Sequence, residues 1–244
     1  MKKMRFGLLL LLLVLSVSAC GFPLRYTQVR GNGKITSESR NVIGFNSIEL
    51  SGIGTLIIEQ GEEESLEVTA EENLMRYLRS DVRGSSLKLG MEEFISLQPT
   101  EDIIYRLSVK NLQNIETSGL GSVEIEYLET EQLEIEISGS GKIVIGNLIG
   151  DRLIIEISGL GDVDVAGKVE DQRVKLSGAG NYDATDLQSV SAKLDISGTG
   201  RANLWVTETL DVDLSGAGTI TYYGDPNVHS EMSGLGEIKS LGEK

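Results

Sequence analysis

The tetrapeptide Ser-Gly-X-Gly recurs eight times in this chain, beginning at Ser51, Ser118, Ser138, Ser158, Ser177, Ser197, Ser215 and Ser233. Aligned on those serines, the residue two places earlier reads Glu49, Glu116, Glu136, Glu156, Lys175, Asp195, Asp213 and Glu231. Seven of the eight are acidic, and rows of carboxylate oxygens are the donors that hard cations such as calcium take. The first chemistry to weigh is therefore capture of a divalent cation or a cationic partner along an acidic ridge. Against it stands the plainer role of a solvated, charged face that keeps β structure soluble and unpaired. The serines are poor nucleophile candidates, because eight equivalent copies share a single histidine, His229, and a triad needs one activated site.

Other constellations are weaker. Gly159-Leu160-Gly161-Asp162-Val163-Asp164 looks locally like a calcium-binding β-roll repeat, but that motif works at a nine-residue period and the corresponding positions elsewhere are Lys142, Asn181, Arg201 and Thr219. Asp162, Asp164 and Asp183 could cluster as the paired acids of a polysaccharide lyase or hydrolase. Aromatic residues make up only 5% of the chain, however, which leaves little to stack a sugar on, and the phase of the one tryptophan, Trp205, is ambiguous. His229 falls in an outward column beside Asp211. A net charge of −15 leaves no basic stripe for nucleic acid. A single cysteine, Cys20, excludes an internal disulfide or a thiolate cluster. No catalytic residue, cofactor or resident metal is expected.

The elements that must position these columns follow from period and spacing. After the first interval of 67 residues the motif steps are 20, 20, 19, 20, 18 and 18, and the flanks alternate: Leu133, Ile135 and Ile137 around Glu134 and Glu136, then Ile143 and Ile145. Period two means strands with one buried face. The same turn in the same phase every 18 to 20 residues selects a parallel β-solenoid over a meander, because each coil repeats the environment of the last. The two glycines of each turn are expected to supply positive φ, the serine hydroxyls to form a ladder, and the X residues (Ile53, Leu120, Ser140, Leu160, Ala179, Thr199, Ala217, Leu235) to fold back and plug the turn. The alternative for X is a mildly apolar stripe facing solvent. The 67-residue interval reads as two missing turns replaced by an irregular excursion, residues 71–110, with one short helix around Leu74, Tyr77 and Leu78, capping the N-terminal end. The charged segment from Lys239 to Lys244 is expected to cover the other end.

Met1-Lys2-Lys3-Met4-Arg5 followed by an apolar run to Ala19 reads as a secretory leader. Its end, Val17-Ser18-Ala19-Cys20, resembles the lipobox of bacterial lipoproteins, which implies a leader of residues 1–20 and lipid on Cys20 as the mature N-terminus. Loss of Lys2, Lys3 and Arg5 would leave 19 basic and 37 acidic residues, a net charge of −18. Residues 21–36 read as a tether and 37–244 as the solenoid.

Phe45-Asn46-Ser47-Ile48-Glu49-Leu50-Ser51-Gly52, the serial turns, and Tyr222-Tyr223-Gly224-Asp225-Pro226 before the last copy together resemble the bacterial family described as putative autotransporter adhesin, head GIN domain. The resemblance implies a right-handed β-helix in a secreted or lipoprotein context. No membrane barrel follows the repeats before Lys244, so autotransport is not expected. The expectation is a lipid-anchored, extracytoplasmic, non-enzymatic adhesion, binding or scaffolding module, in the outer membrane if the host has one, with a glycan or envelope protein as ligand. The alternative is a surface carbohydrate-active enzyme on a β-helix.

Overall fold

A computed structural model describes residues 27–244; the expected leader, Cys20 and the first part of the expected tether lie outside them. The chain forms a stacked parallel β-solenoid. Its regular body runs through β10 (Asn114–Thr117), β11 (Ser122–Ile125), β12 (Leu128–Ile137), β13 (Lys142–Ile157), β14 (Asp162–Leu176), β15 (Asn181–Ile196), β16 (Arg201–Leu214) and β17 (Thr219–Tyr223), followed by β18 (Asn227–Met232) and β19 (Glu237–Ser240). All pairings in this body are parallel, for example Ile135↔Ile155 and Ile155↔Val174. Alternation produces the core directly. Leu133, Ile135, Ile137, Ile143, Ile145 and Leu148 of one coil are buried, as are Leu153, Ile155, Ile157, Val163 and Val165 of the next.

The corner glycines are required for a different reason from the one the sequence suggests. Of the sixteen in the eight motifs, only Gly54 has positive φ. In the others, Gly52 excepted, the constraint is distance. A Cβ on Gly119, Gly139, Gly159, Gly178, Gly198, Gly216 or Gly234 would fall far inside 3.0 Å of the carbonyl oxygen of the equivalent glycine one coil earlier. Backbone rungs approach so closely here because each serine N–H donates to the previous coil, as Ser158 does to the Ile137 oxygen at 2.9 Å and Ser177 to the Ile157 oxygen at 3.0 Å. The ladder at this corner is a main-chain one. Serine hydroxyls add to it at Ser51, which donates to the Leu89 oxygen at 3.3 Å, and at Ser138, which donates to the Thr117 oxygen at 3.5 Å.

Variation in coil length is absorbed elsewhere. Registers slip between Ile145 and Leu148, between Asp164 and Ala166, between Ala184 and Gln188, and between Ser189 and Ser191. These are corners of the third, shortest face of each coil, the stretch that runs through residues 128–130, 148–150 and 167–169. Inside the stack a satisfied polar network links this face to the other two: the Tyr182 hydroxyl donates to Gln172 Oε1 at 2.9 Å, Gln172 Nε2 donates to Ser189 Oγ at 2.6 Å, and Ser189 Oγ donates to the Trp205 oxygen at 3.1 Å. Burial pushes the Tyr182 phenol up, so it stays a donor.

The 67-residue interval does not replace missing turns. β3 (Ser47–Leu50) and β4 (Thr55–Gln60) pair directly with β10 and β11, Glu49 opposite Glu116, so Ser51 and Ser118 are on neighbouring coils. The chain between them leaves the stack and folds over its outer end. β7 (Ser86–Met91) and β9 (Ile104–Val109) add parallel to the free edges of β3 and β4, and are joined antiparallel by β6 (Leu78–Arg83) and β5 (Ser65–Glu71). A loop can do this because a solenoid stack is open at its two ends, and covering one removes an aggregation-prone edge. The helix α1 is one turn, Glu72–Met75, with Leu74 and Met75 buried.

Residues 27–36 are likewise not a tether. β1 (Thr27–Arg30) pairs parallel with β8 (Ile95–Gln98), and β2 (Ile35–Arg40) pairs antiparallel with β5. Two charged side chains fix this layer. Buried Glu71 accepts from the Gly33 N–H, the Thr100 N–H and the Thr100 hydroxyl at 2.6, 2.8 and 2.6 Å. Burial pushes its carboxyl up, but these bonds outweigh burial and hold the pKa below the ordinary value. Arg40 donates from Nη1 to the Leu78 oxygen and to Ser80 Oγ, both at 2.8 Å. Inside the same layer, burial pushes the Tyr105 phenol up to about 12 against the opposing pull of Arg40.

Candidate binding edge

Parallel register turns the acidic alignment into a physical column. Glu49, Glu116, Glu136, Glu156, Lys175, Asp195, Asp213 and Glu231 are successive rungs, each opposite the next. At about 4.8 Å per rung the column extends for about 34 Å. Neighbouring carboxylates repel by about 1 kcal/mol per pair even in water. Two lysines relieve this: Lys88, opposite Glu49 in the outer layer, pairs with it, and Lys175 pairs with Glu156 at 3.7 Å. Between them Glu116, Glu136 and Glu156, together with Ser138, Ser158 and Ser177, border a shallow cavity of about 150 Å³. Among the described residues no group of three or more His, Cys, Asp or Glu side chains is placed to hold a metal ion.

The X residues do not plug the turn. Leu120, Leu160 and Leu235 are 69%, 65% and 94% exposed, and Ser140, Ala179, Thr199 and Ala217 are also exposed; Ile53, in the first coil, is half-buried against the core. The flanking glycines pack against the previous coil, and the main-chain bonds Leu120 N to Gly52 O, Leu160 N to Gly139 O and Leu235 N to Gly216 O hold each apex in line. An exposed stripe of small and apolar side chains therefore runs parallel to the acidic column, with a row of exposed serines between.

The acids suggested for sugar cleavage lie on adjacent coils but are engaged separately. Asp164 and Asp183 are opposite one another, yet Asp164 pairs with Lys142 at 2.7 Å and Asp183 accepts from the Thr185 hydroxyl at 2.7 Å. Asp162 accepts from Asn181 Nδ2 at 2.7 Å. His229 is exposed and opposite Asp211.

A second surface had no counterpart in the sequence reading. A groove of about 820 Å³ runs from the loop at Phe45 and Asn46 across Lys110 to Glu129, Glu131 and Asp151. Gln60 closes one side, donating to the Lys110 and Glu129 oxygens at 3.2 and 2.9 Å and accepting from the Glu129 N–H at 2.9 Å. The Tyr127 hydroxyl donates to Glu129 Oε2 at 3.1 Å, and that bond, with partial burial and the carboxylate charge, raises its pKa. The signal available was the acidic third-face corner residues Glu129, Glu131 and Asp151, but they lie outside the motif columns.

A parallel stack with an extended, exposed edge defines the class: a β-solenoid of the kind that presents an extended surface. Residues 44–226 match the model of the family described as "Putative auto-transporter adhesin, head GIN domain". The chain belongs to that family. The fold is shared with a putative adhesin from Bacteroides fragilis, 24% identical with a TM-score of 0.82, over 87% of this chain and 100% of that one. A protein from Parabacteroides distasonis described as a putative lipid binding protein is 27% identical with a TM-score of 0.71, over 88% and 100%. A putative adhesin from Parabacteroides merdae is 24% identical with a TM-score of 0.69, over 88% and 99%. The search of curated proteins gave no match. Among the described residues, no helix is long and apolar enough to cross a membrane.

Proposed function

We propose that the chain is a non-enzymatic adhesion or scaffolding module of the cell envelope, held on the extracytoplasmic side by lipid on Cys20. Its ligand, a glycan or an envelope protein, binds along the edge formed by the acidic column, the serine row and the X stripe. The observation that carries this reading is the exposure of the edge over the successive coils from Ser118 onward, with Leu120, Leu160 and Leu235 kept in solvent. Apolar side chains held exposed in line suit a contact surface, and an extended solenoid face suits an extended ligand. Metabolic labelling with a palmitate analogue tests the anchor: label lost in Cys20→Ser supports it, and an unlabelled wild type overturns it. A glycan array and a pull-down from envelope extract test the ligand. Retention that falls in a Leu120→Ser/Leu160→Ser variant supports the edge, and unchanged retention moves the site elsewhere.

The groove favours a second reading, a carbohydrate-active enzyme, because it gathers Glu129, Glu131 and Asp151 along a volume of about 820 Å³. A reducing-sugar assay on envelope polysaccharides separates the two: turnover lost in Glu129→Gln supports the enzyme, and binding without turnover supports the module. The description of the Parabacteroides distasonis neighbour adds one arm, binding to lipid vesicles.

A further inference from the structure

The coil formed by β15 is longer than the next. Register with β16 jumps from Ala184↔Leu204 to Gln188↔Trp205, so Thr185, Asp186 and Leu187 have no partner on that side. The missing rung leaves a surface gap bordered by Asp186, by the Thr185 carbonyl, and by Trp205 and Tyr223, which are themselves opposite one another on β16 and β17. The segment after β19 turns into the gap, fixed by Leu241 N to Tyr222 O at 2.8 Å and Gly224 N to Gly242 O at 2.9 Å. Lys244 fills it. Its Nζ donates to Asp186 Oδ1 at 2.6 Å and to the Thr185 oxygen, and lies 5.0 Å from the Trp205 ring centroid and 5.6 Å from that of Tyr223.

Those four contacts match the chemistry of one kind of group. A primary ammonium carries three donors on a compact positive charge. Two oxygens take donors here, one of them charged, and two aromatic faces receive the cation through their ring quadrupoles. A quaternary ammonium would satisfy the rings but could donate to neither oxygen, and a guanidinium would need a wider fork. Asp186 is 75% exposed on its side chain, so the gap opens to solvent.

We infer that Asp186, the Thr185 carbonyl, Trp205 and Tyr223 form a binding site for a primary alkylammonium group, occupied in this structure by the chain's own Lys244 and available to an external lysine side chain or small amine that displaces it. This site is separate from the acidic edge and does not depend on it. Lys244 is an internal competitor: a side chain tethered a few residues from its site presents an effective concentration in the millimolar range.

The chain has one tryptophan, so its fluorescence reads the site directly. Full-length protein carrying Lys244→Ala is titrated with n-butylammonium and, separately, with tetramethylammonium at constant ionic strength, and a Lys244→Met variant repeats the titration with the aliphatic stem retained. The expected result is a saturable change with n-butylammonium at about 1–10 mM, weaker by up to about twofold in wild type, at least about tenfold weaker when Asp186→Asn is added, and little response to tetramethylammonium. Equal responses to the two cations, no saturation in either Lys244 variant, or indifference to Asp186→Asn would overturn the proposal and leave Lys244 as a structural staple. Tighter binding of Nα-acetyl-lysinamide than of n-butylammonium assigns the external ligand to a polypeptide, and equal affinity assigns it to small amines; both uphold the site.

Discussion

The coils from 112 to 223 and the excursion from 61 to 111 both bury an apolar interior, but they are fixed by different physics. In the coils one contact is repeated: a corner glycine against the carbonyl of the glycine before it, with main-chain bonds on either side. In the excursion each contact occurs once. Glu71 binds Gly33 and Thr100, Arg40 binds Leu78 and Ser80, and the strands run antiparallel as often as parallel. Repetition makes the coils intolerant of small changes at the corner. Single contacts make the excursion sensitive at a few named side chains and forgiving between them.

The largest effect is expected where the repeated contact is broken. Gly178→Ala places a methyl against the Gly159 carbonyl and should cost about 3 kcal/mol in urea unfolding followed by circular dichroism. Its counterpart in the excursion, Gly84→Ala, meets no neighbour within 4 Å and should cost only about 1 kcal/mol, from its φ of +62°. Equal losses would erase the distinction. Between these lies Gln172→Leu, which leaves the Tyr182 hydroxyl and Ser189 without their buried partner, at about 2 kcal/mol.

Acid should single out the excursion. The Glu71 carboxyl has its pKa held below the ordinary 4.5, so its contribution to stability is complete above that pH and is lost as pH falls through the lower, folded value. Thermal melting of Glu71→Gln should show a lower Tm near neutral pH and a smaller further drop on acidification than wild type; parallel pH profiles would refute this. The smallest effects belong to the exposed edge. Leu160→Ser should move stability by less than about 0.5 kcal/mol while weakening retention on envelope extract. Millimolar calcium should leave the Tm unchanged, and a rise abolished by Glu136→Gln/Glu156→Gln would instead make the acidic column a cation site.

The same contrast explains what could be read in advance. The strands, the stacking and the acidic column were legible because period and alternation determine which residues share a face, and eight copies average out local exceptions. The outward X residues were not, since whether Leu160 points in or out depends on how closely two backbones approach at the corner, and spacing carries no such distance. The role assigned to the glycines failed for the same reason: Gly178 is required by its neighbour's oxygen, not by its own φ. The excursion was legible only as separate strands, because nothing in Glu71 announces Thr100 as its partner or says on which side of the first coil the loop will lie. The cage around Lys244 depends on a length difference between two coils, visible as a step of 18 in place of 20 but without any hint of what would fill the gap.

Confining length changes to one face has a hereditary consequence. A residue gained or lost near 146 or 186 is accommodated where it occurs, as the register shifts there already demonstrate. The same event within Ser-Gly-X-Gly would put every later rung out of phase. Whole coils, by contrast, begin and end on equivalent corners, so duplicating or deleting one preserves the repeated glycine contact and main-chain bonds at the corner. A lineage carrying this architecture can therefore lengthen its exposed edge in increments of about 4.8 Å while new side-chain environments arise at the one face where indels are tolerated.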